Sequence, residues 1–316
     1  MLRDMTSRLA MALGLLAAAI GVVTLVGTAS IAAPIQKTFA TPEAAVEALI
    51  AANRGNQLDE LLVILGPEGA KLIHSGDPVA DERGRARFVA SYDEAHKLDL
   101  DDATKATLIV GKDEWPFPLP LIGEHDRWHF DTKAGVEEIL NRRIGRNELT
   151  VIQICRAYAA AQREYSAMRL GPGGTPEYAQ HFMSRAEHHD GLYWQVNPGE
   201  PESPLGPLIA QARAAGYRPG TPHLTPRPYY GYYFRILTRQ GDNAAGGVKN
   251  YIVNGHMIGG FALLAYPATY GDSGIMTFMI GQTGIVYEKN LGPKTASIAA
   301  QIEQFDPDVS WQPSKP

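Results

Sequence analysis

The chain has 316 residues, 45% hydrophobic and 20% charged, a globular balance with length enough for two domains of ordinary size. A formal charge of −5 and a pI near 6.0 argue against a nucleic-acid partner, which needs a basic face. One cysteine, Cys155, excludes an intramolecular disulfide and a cysteine-based zinc site.

Arg3 and Arg8 precede an uncharged run from Leu9 to Ala33, near whose end Ser30-Ile-Ala32 puts small residues, Ser30 and Ala32, at the two positions a signal peptidase reads. This pattern predicts a secretory signal peptide over residues 1–33, hence a periplasmic or secreted protein. The run is also long enough to span a bilayer if it is not cleaved, so anchoring in the inner membrane by residues 9–33 is the alternative.

Residues 39–146 form the first expected domain. Thr41-Pro42-Glu43 combines an N-cap, a proline at the first helical position and an acid in the first turn. Val46, Leu49 and Ile50 supply the buried side. Leu58 to Leu65 predicts a second helix, stopped by Gly66-Pro67. Asp77-Pro78 starts a third, expected to run to about Leu98 with Phe88, Tyr92 and His96 on one face. Ala106 to Val110 reads as a strand. Trp115-Pro-Phe-Pro-Leu-Pro, with alternate prolines, reads as an edge strand or extended ledge. A turn at residues 123–126 leads to a returning strand, Arg127 to Phe130. Asp131 caps a helix that Gly145 is expected to end. Helices followed by a curved hairpin sheet describe an α+β unit. That order is similar to the cone of nuclear transport factor 2-like domains.

Tyr92, His96, Trp115, Trp128 and His129 could line a ligand pocket in this domain, or the aromatics could simply pack. The junction from Glu137 to Glu148 carries Arg142, Arg143 and Arg146. Beside two helix ends these could clamp a carboxylate or phosphate, with Arg143 as the candidate ligand residue. The other reading pairs them with Glu137, Glu138, Glu148 and helix carbonyls.

The second expected domain covers residues 147–305, with a tail over 306–316. From Asn147 to Met168, Val151, Ile154, Tyr158, Ala161, Tyr165 and Met168 mark one apolar stripe; Leu149, Ile152, Cys155 and Ala159 mark a second. Cys155 is then a buried core thiol or a reactive one. Tyr178 to Arg185 predicts a short amphipathic helix, and Gly191 to Trp194 a strand. Leu208 to Ala215 reads as helix and Pro219 to Pro228 as extended chain. Tyr229 to Thr238 opens a sheet that continues through Tyr251–Val253, Gly260–Tyr266, Ile275–Ile280 and Ile285–Lys289. Asn254-Gly255 is a hairpin turn. A long helix followed by a meander places the helix across one sheet face.

Ile64-Leu-Gly-Pro-Glu-Gly69, Ser75-Gly-Asp-Pro-Val79, Trp115-Pro-Phe-Pro118, Ile139 to Leu149, Glu202-Ser-Pro-Leu-Gly-Pro207 and Asn254 to Ala262 carry a family resemblance. From Phe39 to Trp311 the chain resembles the bacterial envelope family catalogued as domain of unknown function 2950. The resemblance transfers no catalytic residue. The second domain also looks like the globular part of type IV pilins and pseudopilins, on Cys155 to Tyr165, Gly231 to Phe234, Phe261 to Pro267, Tyr270 to Gly274 and Thr283 to Tyr287. It departs from pilins in having its apolar run a whole domain upstream and no prepilin cleavage pattern, so the resemblance implies an interaction module rather than a polymerising subunit.

Gly271-Asp-Ser-Gly274 matches the nucleophile loop of trypsin-like proteases, but no histidine has that family's surroundings and the sequence suits a hairpin turn. His188-His189-Asp190 and His125 with His129 are the metal candidates, and neither spacing converges in an extended chain. The resulting expectation is an α+β protein without catalytic residues, cofactor or metal, serving as a binding or assembly component of the envelope. Its partner would be another envelope protein or a second copy. The alternative is a small-ligand binder or enzyme built on the first-domain pocket.

Overall fold

The computed structural model describes residues 36–185, 188–218 and 227–315. The signal segment and most of the extended segment 219–228 lie outside them. Helix α1, Pro42–Arg54, begins as its sequence dictates: Thr41 Oγ1 accepts from Ala44 N at 3.2 Å. Helix α2, Leu58–Leu65, ends at Gly66, whose φ of 71° few other residues adopt. A single turn, α3, Ala70–Ile73, follows, and then α4, Pro78–Glu94, capped by Asp77. Helix α4 stops before His96, which instead opens strand β1, His96–Asp102. The expected extension to Leu98 fails because this segment pairs along its length with β2, Lys105–Val110.

Strands β3, Trp115–Pro116, β4, Leu121–Glu124, and β5, Arg127–Phe130, complete an antiparallel sheet in the order β1-β2-β4-β5, with β3 on β2. Ala106, Leu108 and Val110 alternate inward and meet Val46, Leu49, Leu61 and Ile64 of α1 and α2 in one core. The prolines at 116, 118 and 120 keep the ledge beside β2 to a two-residue pairing.

Helix α5 is the element both halves share. It runs unbroken from Thr132 to Met168, 37 residues, or about 55 Å. Gly145 does not end it, and Asn147 does not cap a new helix. Gly145 keeps a negative φ, and the helix stays buried on either side at Leu140, Ile144 and Val151. That burial outweighs glycine's cost of about 1 kcal/mol. Asn147 is itself buried and donates from Nδ2 to Ser273 O at 2.9 Å. Leu149, expected on the second apolar stripe, is 66% exposed, and Met168, expected to close the first, is 53% exposed at the last position of the helix.

Segment 178–185 is not a helix. It carries β6, His181–Met183, paired in parallel with β7, Gly191–Tyr193. The buried amide of Gln162 on α5 holds its start, donating to Ala179 O at 2.8 Å and accepting from Ala179 N at 2.9 Å. Helix α6, Gly206–Ala214, precedes β8, Tyr232–Leu237, and β9, Arg239–Gln240. Strand β9 pairs with β10, Lys249–Asn250; β11, Ile252–Val253, turns through Asn254 and Gly255, both at positive φ, into β12, His256–Met257. Strands β13, Ala262–Pro267, β14, Met276–Gly281, and β15, Val286–Asn290, follow. After helix α7, Thr295–Gln301, comes β16, Gln312–Pro313, giving a second antiparallel sheet in the order β16-β15-β14-β13-β8. Helix α5 lies on β13, β14 and β15, and Val151, Cys155, Tyr158 and Ala159 meet Leu263, Phe278 and Ile280 there. The fold is α+β.

Glu148 fastens helix to sheet, its Oε1 accepting from Ile275 N and Met276 N, each at 2.9 Å. Asp77, buried at the start of α4, accepts from Tyr217 Oη and Gly231 N, each at 2.8 Å. One carboxylate thereby ties the helical half to the loop entering β8.

Candidate functional site

A cavity of about 590 Å³ opens between α4 and α5. Its floor is apolar: Leu49, Leu61, Val110 and Leu119 are buried there, from α1, α2, β2 and the proline ledge. Phe88 on α4 packs on Phe117, ring centroids 4.9 Å apart. Tyr217 and Tyr230 join the lining from beyond α5, so the site draws on both halves of the chain.

The rim is cationic. Arg83, Arg85 and Arg87 of α4 and Arg142, Arg143 and Arg146 of α5 line it, against one carboxylate, Asp81. Arg83 with Arg87, and Arg142 with Arg146, are i,i+4 pairs of like charge, each costing its helix about 0.2–0.5 kcal/mol. Arg85 donates to Asn56 Oδ1 at 2.9 Å. Arg142 pairs with Glu138 at 2.6 Å and lies 5.3 Å from the centre of the Trp115 ring. Arg143 donates to the carbonyls of Lys71 at 2.8 Å and Leu72 at 2.5 Å, capping α3. Among the described residues, the side chains of Arg87 and Arg146 have neither an ion pair nor a hydrogen bond. Desolvation, then the positive charges of Arg87, Arg143 and Arg142, lower the pKa of Arg146. Arg143 is lowered by burial, with Asp81 and Asp272 opposing. Both stay protonated near neutrality, since guanidinium starts so high.

Of the residues singled out in the sequence, the structure brings Trp115 and Arg143 together on this cavity. The Trp115 indole N–H is buried without a hydrogen-bond partner among the described residues. Tyr92, His96, Trp128 and His129 are not among the lining residues. His96 is exposed at the start of β1, its ring stacked on Tyr92 at 3.7 Å. Burial first, then Glu47, raises the pKa of Tyr92. Trp128 pairs through its backbone with Phe39 and packs on Gly123, where an added Cβ would meet the indole at 3.1 Å. The helix-terminus contribution expected at residue 147 is absent, because α5 continues through it. Sequence reasoning missed Arg83 and Arg87, and their i,i+4 spacing on a helix was the available signal.

The arrangement concentrates positive charge around an apolar hollow, chemistry suited to an anion. No histidine is among the described lining residues, and Asp81 accepts from Ser75 N at 2.9 Å. Ser273 of the Gly-Asp-Ser-Gly loop is fully buried, its hydroxyl bonded to Thr269 N at 3.0 Å and Thr269 O at 3.1 Å, as a turn requires. Among the described residues no three His, Cys, Asp or Glu side chains converge as a metal site would need. A second hollow of about 370 Å³ beside α7 has mixed charges, with Arg239 paired to Glu303 and Lys289 bonded to Ser310 at 2.6 Å. Of these two hollows, the first has guanidinium groups, those of Arg87 and Arg146, without a partner among the described residues.

The family described as "Protein of unknown function (DUF2950)" matches residues 36–314, and the chain belongs to it. No curated protein and no solved structure matches the chain.

Proposed function

We propose that this member of the DUF2950 family is an exported envelope protein that binds a small anionic molecule, without catalysis, in the cavity between α4 and α5. The observation that carries the reading is the convergence of six arginines on one cavity with a single carboxylate among them. Export rests on the N-terminal pattern of Arg3, Arg8 and the uncharged run to Ala33. Assembly with another envelope protein or a second copy is the competing reading. It calls for an exposed aromatic patch at Tyr229–Phe234, and every residue there is half-buried or buried. Native mass spectra of the untagged protein from its own envelopes test both. A small bound mass, lost in Arg87→Gln/Arg146→Gln, supports ligand binding. A stoichiometric protein partner with no small mass refutes it. A mass beginning near Ala33 supports export by a cleaved signal, and the full-length mass supports a retained anchor.

A further inference from the structure

We infer that the ligand is a monomeric anionic amphiphile: one acidic head, carboxylate or phosphate, carried on an apolar body that fills the cavity floor. The inference rests on the anion-binding reading and adds the chemistry of the rest of the molecule.

Four observations point the same way. The rim and floor differ in kind, with exposed guanidinium groups at Arg87, Arg142 and Arg146 above half-buried Leu72, Phe88, Trp115 and Ile139, which line the cavity over the buried Leu49, Leu61, Val110 and Leu119. A bare anion would satisfy the rim and leave the floor against water; a neutral hydrocarbon would do the reverse. The volume, about 590 Å³, sits within the roughly 300–1,000 Å³ of small-molecule sites. Helix α4, which roofs the cavity, is under-packed: in 17 residues it has no buried side chain, although it carries Val79, Phe88, Val89 and Tyr92. An apolar body beneath it would remove Phe88 from water. Finally, the Trp115 N–H is a buried donor without a partner among the described residues, and the guanidinium of Arg142 lies over the same ring. An acceptor oxygen on the ligand would satisfy that donor.

Calorimetric titration of the full chain with straight-chain alkanoates and alkyl phosphates, below their micellar concentrations, tests the inference. Inorganic phosphate, acetate and alkanols of equal length serve as comparators. Affinity is expected to tighten about fourfold per added methylene until the cavity is full, then level off. Alkanols should bind at least about tenfold more weakly, as a lost charge-assisted hydrogen bond dictates. In Arg87→Gln/Arg146→Gln the long-chain anions should weaken by about tenfold or more while alkanol binding persists. Neither side chain has an internal partner among the described residues, so an unchanged thermal melt is expected, and Arg87→Lys/Arg146→Lys should retain part of the affinity. Inorganic phosphate and acetate binding as tightly as the long-chain anions would overturn the amphiphile and leave the anion site standing. Alkanols matching the anions, or no titrant binding at all, would overturn both. Long-chain binding that ignores the double substitution would mean adsorption elsewhere and would also sink the inference.

Discussion

Alanine at Gly145 should stabilise the protein, and alanine at Gly135, ten residues earlier in the same helix, should destabilise it. Both glycines lie inside α5 with negative φ. At Gly145 an added Cβ meets no heavy atom within 4 Å, so helix propensity alone decides, a gain of about 0.8–1 kcal/mol. At Gly135 the same atom would sit 2.0 Å from Pro118 O and 2.5 Å from Pro118 C. Those are backbone atoms of the proline ledge and cannot swing aside as a side chain does. Overpacking of that kind costs about 1–3 kcal/mol or more, which exceeds the propensity gain. Urea melts followed by far-ultraviolet circular dichroism measure both. Gly145→Ala should raise the midpoint at unchanged slope and lift Tm by roughly 2 °C in a chain of this size. A loss of stability in Gly145→Ala would refute the reasoning, since it would mean a left-handed glycine ending one helix and a second helix starting at Asn147.

Asp77→Asn should cost about 1.5–3 kcal/mol, because a neutral amide leaves at least one of Tyr217 Oη, Gly231 N and Ala80 N without its charged acceptor. A urea midpoint equal to that of the natural chain would show that apolar packing alone holds this junction. Gln162→Leu should orphan the buried amide and carbonyl of Ala179, about 1–3 kcal/mol for each, and speed hydrogen exchange at Ala179 more than elsewhere in the second core. Burial pushes the Cys155 thiol up to about 12, so thiol reagents at pH 8 should leave the native protein unmodified and label it once unfolded; labelling of the native state would place the thiol at the surface. The folded pKa lies above the unfolded value near 9, so the native state holds the proton longer. This contribution to stability is full below about pH 9 and falls as pH rises toward 12, by up to about 4 kcal/mol. Burial also raises Tyr158 and Tyr232, which steepens the alkaline fall. A pH-denaturation curve flat to pH 12 would contradict it.

Helix starts were legible at Thr41, Asp77 and Asp131 because a cap acts within three residues: each side chain accepts from the backbone N–H three positions on. The hairpin at Asn254-Gly255 and the inward alternation of Ala106, Leu108 and Val110 are equally local. The segment from Tyr178 to Arg185 misled, because its apolar spacing fits a helix while its fate is set by Gln162 and by pairing with Gly191–Tyr193. His96 misled for a similar reason: nothing in its neighbourhood announces that β2 will draw it out of α4 into a strand.

The sequence by itself determined the α+β composition, the caps and turns, the apolar stripes of α5 and the richness in arginine of the junction. Each depends on residues within about a helical turn of one another. Only the tertiary structure decided that α5 runs through Gly145, where packing at Ile144 and Val151 overrides a local penalty of about 1 kcal/mol. It alone decided that Arg83 and Arg87 face Arg142 and Arg146 across one apolar cavity, while Tyr92, His96 and Trp128 do not line it. Those arginines stand more than fifty residues apart along the chain. Their approach is set by how α4 and α5 pack on a common core, which no local pattern encodes.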